Sequence, residues 1–125
     1  MVDFMQQRSI RGATTIQADT KDNVITATKE LLQSVLTSND VASENIVNII
    51  FTATTDIKSA FPALAARELG LTDVPLIDCQ QMMCDGALEL CIRVMLTYNT
   101  QKSQRDIEHV YLHSAKILRP DLVKE

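Results

Sequence analysis

Apolar residues recur at two periods along the 125-residue chain, and the changes of period mark out its elements. Val24, Thr28, Leu31, Leu32, Val35 and Leu36 return at helical spacing, which predicts an amphipathic helix ending near Ser38 to Asp40. Ahead of it, Asp19 or Thr20 in "QADTKDN" can supply the N-cap, and "RSIRGATTI" alternates weakly enough to read as a short strand. "IVNIIFTA" (46–53) is a branched apolar run of buried-strand type, followed by the loop "TTDIKSAF". Pro62 and Gly70 then bracket "PALAAREL" as start and stop signals of a short helix. "VPLIDC" predicts a third strand. In "LELCIRVMLTY", Leu88, Leu90, Ile92, Val94, Leu96 and Tyr98 alternate with Glu89, Cys91, Arg93, Met95 and Thr97, which predicts a fourth. "HVYLHSAKIL" predicts a fifth, and "RPDL" is expected to end the ordered chain. The order β-α-β-α-β-β-β predicts an α/β (α+β) fold: a single mixed β-sheet with helices on one face. The other face then needs a cover, and a neighbouring subunit is the economical one.

Composition adjusts this picture modestly. With 46% apolar and 22% charged residues, no repeats and no glycine- or proline-rich linker, residues 1–125 read as one globular domain. A domain this small often completes its core against copies of itself. Twelve basic against sixteen acidic residues leave a net charge of -4, which argues against nucleic acid as a partner, so any anion site must be local. No run is long and apolar enough for a membrane span, and "MVDFMQQRS" has neither the basic start nor the apolar stretch of a signal peptide. A cytoplasmic protein is expected. Cys79, Cys84 and Cys91 are odd in number and fit neither a disulfide framework nor a zinc site; they are expected to fill core space in a reducing compartment.

Chemistry concentrates on arginine. Arg93 lies mid-strand among half-apolar neighbours, a costly place for a permanent charge unless an anion or carboxylate meets it. Arg11 precedes Gly12 in "SIRGATT" and can present its guanidinium beside a close backbone approach. Arg67 near the end of the short helix has a ready structural explanation in the helix dipole. His109 and His113 on one strand would stand about 13 Å apart, too far to share a metal. They are expected to be structural or exposed, and Tyr111 to be a half-buried strand tyrosine whose hydroxyl seeks a partner.

Taken in order and spacing, "SIRGATT", "FPALAAREL", "CIRVM", "HVYL" and "LRPDL" resemble the monofunctional chorismate mutases of the trimeric pseudo-α/β-barrel type, from about Arg8 to Leu122. The resemblance implies a homotrimer with sites in the clefts between subunits. It also implies the pericyclic (Claisen) rearrangement of chorismate to prephenate in phenylalanine and tyrosine biosynthesis, without a cofactor. Such a reaction is accelerated by holding the folded conformer of the substrate and by matching charge as the ether bond breaks. By this likeness Arg93 steadies the ether oxygen, and Arg11 and Tyr111 bind a substrate carboxylate. Arg67 forms a basic rim from the neighbouring chain, and Phe61, Ala63 and Leu118 form an apolar wall.

The sequence departs from the family at two places. Gln81 occupies the position of an important glutamate, with Asp78 where a cysteine is common, so Asp78 beside Gln81 is expected to supply the missing charge. Leu64 replaces a frequent lysine, which predicts weaker attraction of the substrate dianion. Two other readings remain: a trimer resembling the small imine deaminases, which lack these five motifs, or a catalytically weak ligand-binding relative, suggested by Gln81 and Leu64.

Overall fold

The structure, a computed structural model, describes residues 5–119. Its elements are β1 (Gln6–Thr15), α1 (Lys21–Ser38), β2 (Ile46–Ala53), α2 (Ala63–Glu68), β3 (Leu76–Gln80), β4 (Cys91–Thr100) and β5 (Val110–Tyr111), with 3-10 turns at Ser43–Asn45, Gln104–Asp106 and His113–Leu118. The five strands form one sheet in the order β3-β2-β4-β1-β5. β4 runs antiparallel to both β1 and β2, while β3 is parallel to β2 and β5 to β1. The mixed sheet expected from the sequence is therefore present. Of the "RPDL" segment, the residues after Arg119 lie outside the described part.

Local chemistry sets each boundary. Thr20, extended at φ -125°, caps α1 by accepting from the Asn23 N–H at 3.1 Å. Asp19, the other candidate, instead reaches across to accept from the backbone N–H groups of Lys58 and Ser59 and the Ser59 hydroxyl. Those bonds hold its carboxyl below the usual range. At the far end Asn39 is buried; its Nδ2 donates to the carbonyls of Val35 and Glu108, and its Oδ1 accepts from the Glu108 N–H. The end of α1 is thereby tied to the segment leading into β5. Gly70, just past α2, takes φ 91°, the left-handed conformation that a helix stop needs.

The two helices share one sheet face. Leu31, Leu32 and Val35 of α1 and Ala63 and Ala66 of α2 pack on Ile10, Ile49, Phe51, Val94, Leu96 and Tyr98. The opposite face is largely open, and Ile50, Met95 and Ile77 there are 38%, 41% and 55% exposed. Ala13 and Cys91, at one end of that face, are covered by Ala115, Tyr111 and Leu118.

Three expectations need correction. The fifth strand is two residues long, because His113 turns into the left-handed region at φ 53° and Ser114 to Leu118 continue as a 3-10 turn that drops Ala115 onto Ala13 and Cys91. β4 begins at Cys91 rather than Leu88, because Leu90 sits at φ 48°, its N–H donating to Asp56 and its carbonyl accepting from Ile16. Of the cysteines only Cys91 fills core space; Cys79 and Cys84 are exposed.

Candidate active site

Strand pairing decides which side chains meet on the open face, since residues directly opposite each other in a sheet point to the same side. Ala13 lies opposite both Arg93 and Tyr111, and Thr52 lies opposite Arg93. In the next row of that face, Arg11, Met95 and Ile50 stand side by side. With Leu118 and Arg119 from the closing turn, these residues line a cleft of about 430 Å³. Arg11, Arg93, Tyr111 and Leu118, all singled out in the sequence, are thus brought together.

The cleft is strongly polarised. Arg11, Arg93 and Arg119 line it, and none of its described lining residues is acidic, in a chain whose net charge is -4. The Arg93 Nε is buried and makes no hydrogen bond within the chain, and so is the hydroxyl of Thr52 opposite it. Buried donors without partners are rare in folded proteins and cost of the order of 1–3 kcal/mol each. A guanidinium whose Nε is held in that state is set up for an anionic oxygen. Burial pushes the Cys91 thiol up, with Arg93 opposing the shift, so this cysteine rests as a neutral thiol and packs rather than attacks.

The other candidates lie elsewhere in the chain. Gln81 follows β3 directly, its N–H bonded to the Ala53 carbonyl at 2.9 Å, and its buried Oε1 has no partner. It lines a separate hollow of about 430 Å³ with Thr54, Asp56 and the loop 82–89. Asp78 pairs with Phe51 and so belongs to the helix side of the sheet, where its Oδ1 accepts from the Ala63 N–H at 3.0 Å. Burial raises the Asp78 carboxyl, while that N–H and Arg67 pull it back down. The convergence of Asp78 and Gln81 expected from sequence therefore does not occur within one chain. Ala63 is 1% exposed, so its side chain is core rather than wall, whereas Phe61 beside it is 71% exposed. Phe61, Arg67 and Asp78 thus form a second group around α2, apart from the arginine cleft.

Sequence reasoning passed over Thr52, Met95 and Arg119 as cleft residues. Arg119 stood within "LRPDL", but only the turn after Tyr111 brings it back over the sheet. A larger hollow of about 530 Å³ between β1, α1 and His113 contains Glu30 and no arginine, which suits no dianion.

The family model for chorismate mutase type I matches residues 7–122. The chain belongs to that family. It is 44% identical over 119 residues to the chorismate mutase AroH of Bacillus subtilis (strain 168), covering 94% of each chain. It is 45% identical over 116 residues to chorismate mutase AroH of Thermus thermophilus, covering 92% of this chain and 95% of that one. A solved chorismate mutase from Clostridium thermocellum superposes with a TM-score of 0.86 at 44% identity, covering 87% of this chain and 97% of its own. The fold and the isomerase class read from the sequence are thus those of a monofunctional chorismate mutase of aromatic amino acid biosynthesis. Among the described residues, no helix is long and apolar enough to cross a membrane.

Proposed function

We propose that the arginine cleft is the catalytic half-site for converting chorismate to prephenate, and that a neighbouring protomer of a homotrimer completes it. Chorismate carries two carboxylates, and the rearrangement moves negative charge onto the ether oxygen as its bond breaks. A guanidinium already fixed beside that oxygen lowers the barrier without reorganising at the moment of reaction. Arg93 takes this role, Arg11 and Tyr111 hold a carboxylate, and Leu118 packs against the substrate's apolar side. The observation that carries this reading is the buried, unpartnered Nε of Arg93 within a cleft whose described charged lining residues are all arginines.

Phe61, Arg67 and Asp78 act in trans in this scheme, reaching the cleft of the adjacent protomer. The separation of the two groups within one chain and the apolar exposure of Ile50, Met95 and Ile77 on the uncovered face support such an assembly. A cytoplasmic location fits the two exposed free thiols, Cys79 and Cys84.

Loss of chorismate's ultraviolet absorbance measures turnover directly. Arg93→Ala is expected to lower kcat/KM by about 10² to 10³, mostly through kcat, because the contact strengthens in the transition state. Near wild-type turnover in that variant would overturn the assignment.

A further inference from the structure

β5 is short for a strand that holds a site tyrosine: Val110 and Tyr111 alone pair with Gly12 and Ala13. After Tyr111, the Leu112 N–H donates to the Ala13 carbonyl at 2.9 Å. Before Val110, the partner of the Arg11 N–H is no backbone carbonyl but Nδ1 of His109, also at 2.9 Å. A side-chain nitrogen therefore stands in for the next rung of the ladder. Its backbone is anchored through the neighbouring Glu108, whose N–H and carbonyl are both bound by Asn39 at the end of α1.

We propose that His109 is a positioning residue whose neutral imidazole clasps β5 to β1, fixing Tyr111 relative to Arg11, so that turnover depends on this ring remaining unprotonated. This role rests on Arg11 and Tyr111 being substrate groups, as proposed above. The chemistry of the ring makes the dependence strict. A neutral imidazole with its proton on Nε2 accepts at Nδ1, whereas an imidazolium has only donors and would set N–H against N–H.

The surroundings keep the ring neutral. Burial, then Arg11 on β1, then Arg119 after the closing turn, lower its pKa from the ordinary 6.5. The hollow beside the ring is lined by Arg8 together with Gln7, Ser9, Arg11, Met95 and Gln104, and none of these is acidic. Because the folded ring is harder to protonate than the unfolded one, the clasp's contribution is complete above pH 6.5 and is lost as pH falls through the lowered value.

The test compares kcat/KM between about pH 5 and 8 for wild type, His109→Asn, His109→Phe and Arg11→Ala. Asparagine places an oxygen acceptor where Nδ1 stood and cannot titrate; phenylalanine offers no acceptor. Wild type is expected to lose about tenfold as His109 protonates. His109→Asn should remove that limb while staying within about threefold of wild type at pH 8, and His109→Phe should be about tenfold lower throughout, chiefly in kcat. Any limb due to Asp78 persists in His109→Asn and is thereby separated. An identical profile for wild type and His109→Asn, or full activity in His109→Phe, overturns the clasp. Undiminished turnover in Arg11→Ala overturns it differently, by removing Arg11 from the site. Should His109→Phe fail to fold, the Arg11 amide proton resonance of wild type decides: it should move with the protonation of His109, and a resonance that does not titrate overturns the clasp.

Discussion

If Asp78 acts in trans as proposed, it and Gln81 of two different chains would divide between them the role that the resemblance drawn from the sequence gives to one glutamate. Gln81 can accept a hydrogen bond from the substrate hydroxyl but brings no charge, while Asp78 brings charge and already uses one oxygen to hold the first N–H of α2. Its second oxygen is what a neighbouring cleft would meet. Asp78→Asn should therefore lower kcat/KM about a hundredfold and Gln81→Ala only a few-fold, and equal small losses would reject the division of roles. Folding is expected to respond differently. The folded Asp78 carboxyl is raised above 3.8, chiefly by burial, so its stability contribution is complete below that pH and is lost as pH rises through the folded value. Asparagine keeps an oxygen for the Ala63 N–H without the buried charge, and a thermal melt of Asp78→Asn at pH 7 should show no drop. Arg93 was legible in the sequence because a permanent charge in a half-apolar strand has few explanations. The side of the sheet that Asp78 occupies was not, since it depends on the pairing of β3 with β2 through Phe51. The acceptor role of His109 depended on where β5 begins, which local residue preferences do not reveal.

Gly12 couples the elements that carry the site. A Cβ there would come within 3.0 Å of Leu31 Cδ1 on α1 and Val94 Cγ1 on β4, and 3.2 Å of the Val110 carbonyl oxygen on β5. The two side-chain ends can yield, but the carbonyl belongs to the strand that carries Tyr111. Gly12→Ala should cost about 1–3 kcal/mol by overpacking, exceeding the few tenths to 1 kcal/mol that a stiffer unfolded chain returns. The melting temperature should fall by about 5 °C or more, with kcat/KM declining alongside it; an unchanged melt would show that β5 can move away freely. Glycine before a close backbone approach was readable beside Arg11, as were α1 with Thr20 among its candidate caps, β2, and the stop at Gly70. The ends of β4 and β5 were not. Leu90 and His113 sit in apolar, strand-like runs, yet both adopt positive φ, at 48° and 53°. Leu90 is held by Asp56 and Ile16, and the turn begun at His113 is secured where Ala115 packs on Ala13 and Cys91. Long-range contacts overrode local pattern at both places, and both lie close in sequence to cleft residues, Leu90 before Arg93 and His113 after Tyr111.

At the scale of the molecule, the described residues set two surfaces apart: a cleft lined by arginines on an uncovered sheet face, and an edge with the 71%-exposed Phe61, Arg67 and Asp78 around α2. If each is half of one site, a single chain can never hold both halves of the same site, and inactivating different halves on different chains must allow repair. Arg93→Ala removes the cleft's key cation and Arg67→Ala the rim of the opposing edge. Each homotrimer should be impaired, but subunits co-assembled from equal amounts of the two variants should regain activity. An intact site forms where an Arg67→Ala chain provides the cleft and an Arg93→Ala chain provides the edge, which random cyclic assembly places at roughly a quarter of the interfaces. Sedimentation should give the mass of three protomers for wild type and for the mixture, and turnover of the mixture should approach about a quarter of the wild-type value. Sites built within single chains would leave the mixture no more active than the average of its two components, because every chain would carry its own defect.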